Sequence, residues 1–498
     1  MTEQFKELGV WMDWDNPYLT IAPEYVEAAW WTLRRAYDKG LLISANRVLS
    51  WCPRCETALA EAEIEYWDES DPSIYVKFPL RDEEGVSLLI WTTTPWTLLA
   101  NMAVAVHPDF TYAKVTYSRS DGKEKETVIV LEDLAEEVGA LVNWDEYEIT
   151  EQIEGDDLVG LEYLTPFLDD IPYQKTVTGK WAHRVIPSST VAAENTGLVH
   201  IAPGHGPEDF ELGQEFGIEA FCPVDESGKF SPEAGEKFSG KHARKANADI
   251  VQVLKDKGLM FYDHSLEHRY GHCWRCDSPI IYRTTSQWFL KITQIKGLML
   301  EEIDKVRWTP DWAGSSREYD WAVNARDWCI SRQRYWGIPL PVWKCQCGEM
   351  KVIGSVNDLK GADGYREGME LHRPWIDAVT LKCDKCGGKM KRVLDVLDVW
   401  FDSGVSSWAQ LGFPGSRKEL DRWWPAKWIT EAHDQTRGWF YSQLAAGCIG
   451  FERAPYESVS CTDGYWTHRD SRCRRAGGTS SSRRRSSTST VRTRSDST

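Results

Sequence analysis

Trp51-Cys-Pro-Arg-Cys55 and Cys273-Trp-Arg-Cys276 are two C-x2-C knuckles about 220 residues apart in a chain of 498 residues. Each knuckle alone is weak evidence of a metal site. Together they offer four thiolates, the donor set that suits tetrahedral zinc. Two unrelated turns with reduced thiols are the plainer alternative. What lies between the knuckles decides the fold. From about 72 to 262 short β-rich runs appear, at Ile74–Phe78, Ser87–Thr92, Thr111–Val115, Thr127–Val130 and Gly197–Ile201, separated by polar turns. That pattern predicts a β-barrel-like unit. Before it, residues 24–40 carry Trp30, Trp31, Leu33 and Ala36 at helical spacing and stop at Gly40. After it a Trp-rich texture returns, with short strands and a helical stretch at about 436–449. The order is half a domain, a β insertion, and the domain resumed. One zinc at the knuckles would pin the two stems of the insertion.

A second four-thiol set follows, Cys345-Gln-Cys347 and Cys383-Asp-Lys-Cys386, with Gly348, Gly387 and Gly388 placed for knuckle turns. Four thiolates leave no open coordination position, so both zinc sites are expected to be structural. Cys222, Cys329, Cys448 and Cys461 stand apart and read as buried structural thiols. The domain division predicted is 1–71 (first half-domain with its knuckle), 72–262 (β insertion), 263–343 (return), 344–390 (second zinc insertion), 391–470 (second half-domain) and 471–498 (tail).

Composition narrows the classes. Apolar residues make up 42% and Trp numbers 26, enough for large cores in two to four domains. No run of about 18 apolar residues indicates a membrane span, and no leader is apparent, so a cytoplasmic protein is expected. The formal charge is −18. Residues 471–498 hold 8 Arg and 1 Asp, and the other 470 carry 50 Lys+Arg against 75 Asp+Glu, a net of −25. Such a body argues against non-specific nucleic-acid binding, so any RNA contact must use local basic patches.

Further stretches join the knuckles: Gly9-Val-Trp-Met-Asp-Trp14, Trp91-Thr-Thr-Thr-Pro-Trp-Thr97, Gly197-Leu-Val-His-Ile-Ala-Pro-Gly-His-Gly206 and Arg326-Asp-Trp-Cys-Ile-Ser-Arg-Gln-Arg-Tyr-Trp-Gly337. Over nearly all of 8–470 the chain resembles the class I aminoacyl-tRNA synthetases for branched aliphatic amino acids. Asp398-Val-Trp-Phe-Asp-Ser-Gly404, Asp434-Gln-Thr-Arg-Gly-Trp-Phe440 and Arg334-Tyr-Trp-Gly-Ile-Pro339 resemble the isoleucyl version, with the valyl enzymes as the runner-up. The resemblance implies an α/β fold: an interrupted Rossmann-like catalytic domain with an inserted β-barrel-like editing domain and zinc knuckles. It implies ligation in two steps, from isoleucine and ATP with magnesium to isoleucyl-adenylate, then transfer to tRNA(Ile). A monomer is expected.

The resemblance also implies the sites. Glu431, Asp434 and Gln435 would line the adenylate pocket, with Trp439 packing beside the aliphatic side chain and Trp400 nearby. Carboxylates can hold an ammonium and a ribose hydroxyl, and indoles give a rigid apolar wall. Read without the resemblance, the same residues are a capped helix start with Trp in the core. Ala432 replaces a family glycine, which puts a methyl group in that pocket. An aliphatic pocket rejects a substrate smaller by one methylene only weakly, and a second hydrolytic site is the remedy. Thr92, Thr93, Thr94, Asn101, His200 and Asp209 match the family's editing pocket. Asp209 would hold the ammonium of the mischarged amino acid, His200 would exclude the larger side chain, and the threonines would position water or the terminal ribose. Singly, these are a strand edge, a structural histidine and a helix-start carboxylate; the joint match favours the pocket. Leu99 replaces a family proline.

The family's H-I-G-H signature is expected to precede residue 1, and K-M-S-K-S to follow Gly464-Tyr465-Trp466. The chain instead runs Ser471-Arg-Cys-Arg-Arg-Ala-Gly-Gly-Thr-Ser-Ser481. A disordered basic segment that touches RNA is one reading. A frameshift is the other. Residues 473–481 can be encoded TGT CGA AGA GCC GGG GGA ACG TCG TCG. If the preceding codon ends in A, reading from one base earlier gives ATG TCG AAG AGC CGG GGG AAC GTC GTC, or M-S-K-S-R-G-N-V-V. The expectation is therefore a synthetase fragment with a frameshifted tail, unable by itself to activate amino acid. A residual hydrolase that clears valyl-tRNA is the alternative activity.

Overall fold

Two separate apolar cores organise the computed structural model, which describes residues 2–15, 17–118, 125–142, 144 and 146–462. The tail at 471–498 lies outside the described residues. In the body, the helix Pro23–Asp38 opens with proline in its first turn and buries Val26, Ala29, Trp30, Leu33 and Ala36. These positions recur every three or four residues, so one stripe faces the core. Trp30 donates its indole N–H to the Pro339 carbonyl at 2.8 Å, which ties this helix to the chain beyond the insertion.

The chain leaves and re-enters the body through two paired ribbons. Leu42–Cys52 runs antiparallel to Ile281–Leu290, from Leu42 opposite Leu290 to Trp51 opposite Ile281. Ile64–Pro79 then runs antiparallel to Met260–Cys273, with Ile64 opposite Cys273. The two C-x2-C knuckles sit where the first ribbon hands over to the second. This is the interruption that the sequence predicts.

Beyond the second ribbon lies the β-rich unit. A six-stranded sheet has the spatial order Met260–Cys273, Ile64–Pro79, Val86–Thr92, Lys125–Leu131, Thr111–Ser118, Glu146–Glu154. A three-stranded sheet, Leu198–Ile201, Ala103–Val106, Val185–Pro187, packs with it around Phe78, Leu88, Ile90, Val104, Phe167 and Phe238. The helix Asn247–Asp256 closes that core with Ile250 and Leu254.

The body resumes with a parallel sheet in the order Arg307–Thr309, Ser458–Thr462, Ile429–Ala432. The helix Trp439–Phe451 packs beside it. It is apolar on all sides and buried along nearly its whole length, as a helix inside a layered α/β body must be. The second four-thiol segment forms its own four-stranded sheet of short strands. The architecture is α/β, with a body that holds a parallel sheet and is interrupted by a β unit. Among the described residues no helix is long and apolar enough to cross a membrane.

Candidate functional site

Two strand ends and one helix start build a cleft of about 420 Å3 in the β-rich unit. Thr92, Thr93 and Thr94 come from the end of Val86–Thr92 and the turn after it, His200 from Leu198–Ile201, and Asp209 from the first turn of Pro207–Phe216. All five line the cleft, together with Thr97, Thr190, Glu194 and His205.

The threonine turn is internally bonded. The Thr94 amide donates to Thr92 Oγ1 at 3.1 Å, and the Thr97 hydroxyl donates to the Thr94 carbonyl at 2.8 Å. His200 Nε2 lies 3.1 Å from Thr97 Oγ1. Because that hydroxyl spends its proton on Thr94, it accepts from His200, which assigns the Nε2–H tautomer. His200 Nδ1 is then a bare acceptor without a partner among the described residues. Burial lowers the His200 pKa to about 4, so the ring is neutral near pH 7.

Asp209 accepts from the Ala202 amide at 2.8 Å. Gly206 lets that carboxyl come close: a Cβ there would stand 2.6 Å from Asp209 Cγ. Burial raises the Asp209 pKa to about 7, with Glu208 adding to the rise and the Ala202 amide opposing it. The cleft thus holds one carboxyl on the edge of ionisation, a neutral imidazole and a row of hydroxyls. That set can bind an ammonium, orient a water and present donors to an ester.

Asn101 is not part of this cleft. It is fully buried, donates to the Ala103 carbonyl at 2.9 Å and accepts from the Tyr163 hydroxyl at 2.7 Å. Its amide braces the strand behind the threonine turn. Of the lining residues that received no role from the sequence, two make defined contacts. Thr97 follows Thr94 by three residues and carries the His200 bond. His205 donates Nδ1–H to the Tyr282 carbonyl at 3.0 Å, and its ring meets Trp96 edge-on at 4.8 Å. Both stand inside the quoted motifs, which was the signal available for them.

In the body, Glu431 lies near the end of the strand Ile429–Ala432, and Asp434 and Gln435 follow in a short 3-10 segment. Ligands of open α/β sheets bind outside such carboxyl-terminal strand ends. Glu431 and Asp434 are exposed. Gln435 Oε1 accepts from the Trp439 amide at 2.9 Å and so caps the helix that begins there. Trp439 donates its indole N–H to the Ser403 carbonyl at 3.1 Å. Trp400 packs over Gly438, where a Cβ would meet its ring at 3.1 Å. Gln435, Trp400 and Trp439 are therefore brought together as a wall, with the two carboxylates at its open side.

Both four-thiol sets close up. In each, Cys52, Cys55, Cys273, Cys276 and Cys345, Cys347, Cys383, Cys386, the sulfurs lie within 4.8 Å of one another. Cys52 and Cys276 stand 3.4 Å apart, Cys345 and Cys386 3.4 Å, and Cys347 and Cys383 3.7 Å. Tetrahedral zinc at its usual bond length to thiolate separates sulfurs by about 3.8 Å, so the donor sets fit zinc in number, type and spacing.

A family model described as tRNA synthetases class I (I, L, M and V) matches residues 1–472. The isoleucine–tRNA ligase of Archaeoglobus fulgidus is 56% identical over 460 residues, covering 92% of this chain and 44% of its own length. That of Methanothrix thermoacetophila is likewise 56% identical, at 92% and 43%, and that of Methanosarcina barkeri 53%, at 92% and 43%. The chain spans less than half the length of these curated relatives. Among solved structures, the ternary complex of Agrobacterium radiobacter K84 agnB2 LeuRS with tRNA and LeuAMS has a TM-score of 0.35 and 16% identity, covering 94% of this chain and 54% of that one. The family match runs through the thiol knuckles, the threonine cleft and the parallel strand ends alike, and the chain belongs to the class I tRNA synthetases of the isoleucine, leucine, methionine and valine group.

Proposed function

We propose that this chain is part of an isoleucine–tRNA ligase and that its β-rich unit, residues 72–262, hydrolyses tRNA(Ile) mischarged with valine. The observation that carries this reading is the convergence of Thr92, Thr93, Thr94, His200 and Asp209 on one cleft. The high identity to isoleucine–tRNA ligases supports the choice among the family's members. Ionised Asp209 holds the ammonium of the aminoacyl group. His200, fixed by Thr97, narrows the side-chain end so that valine enters and isoleucine does not. The threonine hydroxyls hold the attacking water and the terminal ribose beside the ester.

Ligation belongs to the whole ligase of which this chain is a part, and this chain by itself is expected not to activate amino acid. Glu431 and Asp434 would hold the isoleucine ammonium and a ribose hydroxyl of the adenylate, while Trp400 and Trp439 wall the aliphatic side chain. ATP with magnesium, isoleucine and tRNA(Ile) are the substrates, and the protein acts as a cytoplasmic monomer. The two four-thiol sets hold zinc as structural ions, and with four thiolates each they offer no position to substrate.

The test is hydrolysis of Val-tRNA(Ile) and Ile-tRNA(Ile) by the purified 498-residue chain. Valine is expected to be released faster, and Asp209→Ala is expected to abolish the release. Equal release of both amino acids, or release that survives Asp209→Ala, refutes the editing assignment.

A further inference from the structure

We propose that the outward face of the second zinc module is an RNA-docking surface, a sheet face of lysines that takes the phosphate backbone. The four strands of this sheet lie in the order Met350–Val352, Val342–Lys344, Lys389–Arg392, Leu381–Lys382. Its register sets Lys344 opposite Lys391 and Lys382 opposite Lys389. Side chains alternate across a strand, so Lys389 and Lys391 point to one side and Met390 and Arg392 to the other. Burial follows that alternation: Met390 and Arg392 are buried, and Lys344, Lys382, Lys389 and Lys391 are exposed. Four ammonium groups therefore share one face as two cross-strand pairs of like charge, which weakens a sheet.

Local partners engage two of the four, Lys389 and Lys344. Lys389 lies 3.3 Å from Asp363, but both side chains are largely exposed and such a pair is worth little. Lys344 rests over the Trp288 ring at 4.6 Å. The module's other lysine pairs are Lys351 with Asp384 and Lys385 with Glu349. Among the described residues, none of the ion pairs reaches Lys382 or Lys391. The charge is also local. Residues 344–392 contain 10 Lys+Arg against 7 Asp+Glu, within 470 residues that carry a net of −25. An acidic body that contacts a polyanion needs such an island.

Aromatic groups at the root of the module select RNA over an acidic protein or an anionic membrane. Trp336 lies flat on His372, with ring centroids 4.6 Å apart, and the Arg373 guanidinium sits 5.0 Å over Tyr335. Tyr335, Trp336 and Trp375 each expose half or more of their surface. Open rings beside guanidinium groups are platforms on which unpaired bases stack. The choice of RNA rests on the proposed aminoacyl-tRNA substrate; the lysine face adds a docking surface outside the lining of the cleft.

The test is equilibrium binding of the 498-residue chain to a tRNA(Ile) transcript and to an unrelated hairpin RNA across a salt series. The wild type is compared with Lys382→Glu/Lys389→Glu/Lys391→Glu and with the milder triple change to Gln. The charge-reversed protein is expected to bind both RNAs about tenfold more weakly or worse, and its salt slope to fall by about 2 to 3, at roughly 0.7–0.9 for each lost phosphate contact. The Gln variant is expected to fall between, with zinc content and melting temperature unchanged. Affinity and slope equal to wild type in both variants overturn the docking face, whatever the wild type does to Val-tRNA. Capture of anionic lipid vesicles by the wild type, with RNA affinity indifferent to all three lysines, overturns it in favour of a lipid surface. Loss of RNA affinity as expected, with a wild type that leaves Val-tRNA intact, keeps the docking face and removes the editing reading.

Discussion

At the scale of single residues, Asp209 sets opposing demands on the cleft. An unfolded Asp ionises near 3.9, and in the fold its pKa is raised to about 7 by burial. Between these values the native state binds more protons than the unfolded one. The stability contributed by the protonated form is therefore complete below about 4 and is lost as pH rises through about 7. Binding an ammonium needs the ionised form. We expect kcat/KM for Val-tRNA hydrolysis to rise with pH up to about 7 and then level, while thermal stability falls over the same range. Asp209→Asn should remove the rise in activity together with the fall in stability. A rate profile that is flat from pH 5 to 8 in the wild type would count against Asp209 as the ammonium partner. Asn101 gives the contrasting case. It belongs to the matched set as the cleft residues do, but only the fold reveals that its amide is spent in the core on Ala103 and Tyr163. Asn101→Ala leaves a buried carbonyl and hydroxyl short of a partner, a cost of about 1–3 kcal/mol. The melting temperature should drop while kcat for deacylation at low temperature stays close to wild type; a selective loss of kcat would place Asn101 in contact with substrate. A motif marks which residues go together, and only burial tells the wall of a site from its scaffold.

At the scale of elements, legibility followed apolar content and spacing. The five β-rich runs read between polar turns are strands, in Ile64–Pro79, Val86–Thr92, Thr111–Ser118, Lys125–Leu131 and Leu198–Ile201, the last starting one residue after Gly197. The helices read at 24–40 and 436–449 are Pro23–Asp38 and Trp439–Phe451. The outer ribbon was not legible. Ile64–Asp71 is largely exposed, His264–Cys273 alternates half-buried and exposed positions before a buried end, and both are rich in Glu, Asp, His and Arg rather than in apolar residues. Their register is held by polar contacts that no window of sequence contains. Arg244, from a segment far along the chain, bonds Glu69 at 2.6 Å and Asp71 at 2.9 Å, while His272 meets Glu69 at 2.7 Å and His268 meets Asp71 at 3.1 Å. The first thiol set clamps the root of this ribbon, so zinc should matter there more than its distance from either site suggests. The purified chain is expected to carry two zinc ions, one for each thiol set. Cys273→Ser should remove one ion and open the ribbons to protease near the knuckles, and Cys383→Ser should remove the other ion without doing so. Full zinc content in either variant would show that the sulfurs are not the ligands.

At the scale of the whole molecule, the chain carries two large cores joined by paired strands. One is built on Trp30, Trp343, Trp408 and Phe440, the other on Phe78, Phe167 and Phe238. The change of texture between the knuckles announces this division, though not the strands that bridge it. Cores that share few side chains unfold with little mutual dependence, so a single two-state transition is not expected. Calorimetry should resolve two transitions. Phe238→Ala creates a cavity in the inserted core, and Phe440→Ala creates one in the body, each at a cost of about 3–5 kcal/mol. Each variant should lower one transition and leave the other nearly in place, because perturbations at distant sites with no shared partners act separately. Phe238→Ala should also weaken Val-tRNA hydrolysis near the lowered transition, since the cleft is built on that core. The ribbons that meet at the knuckles decide how complete the separation is. If chelation of zinc spreads the transitions further apart, the knuckles transmit stability from body to insertion; if both variants move both transitions equally, the two cores fold as one unit and the ribbons are part of a continuous structure.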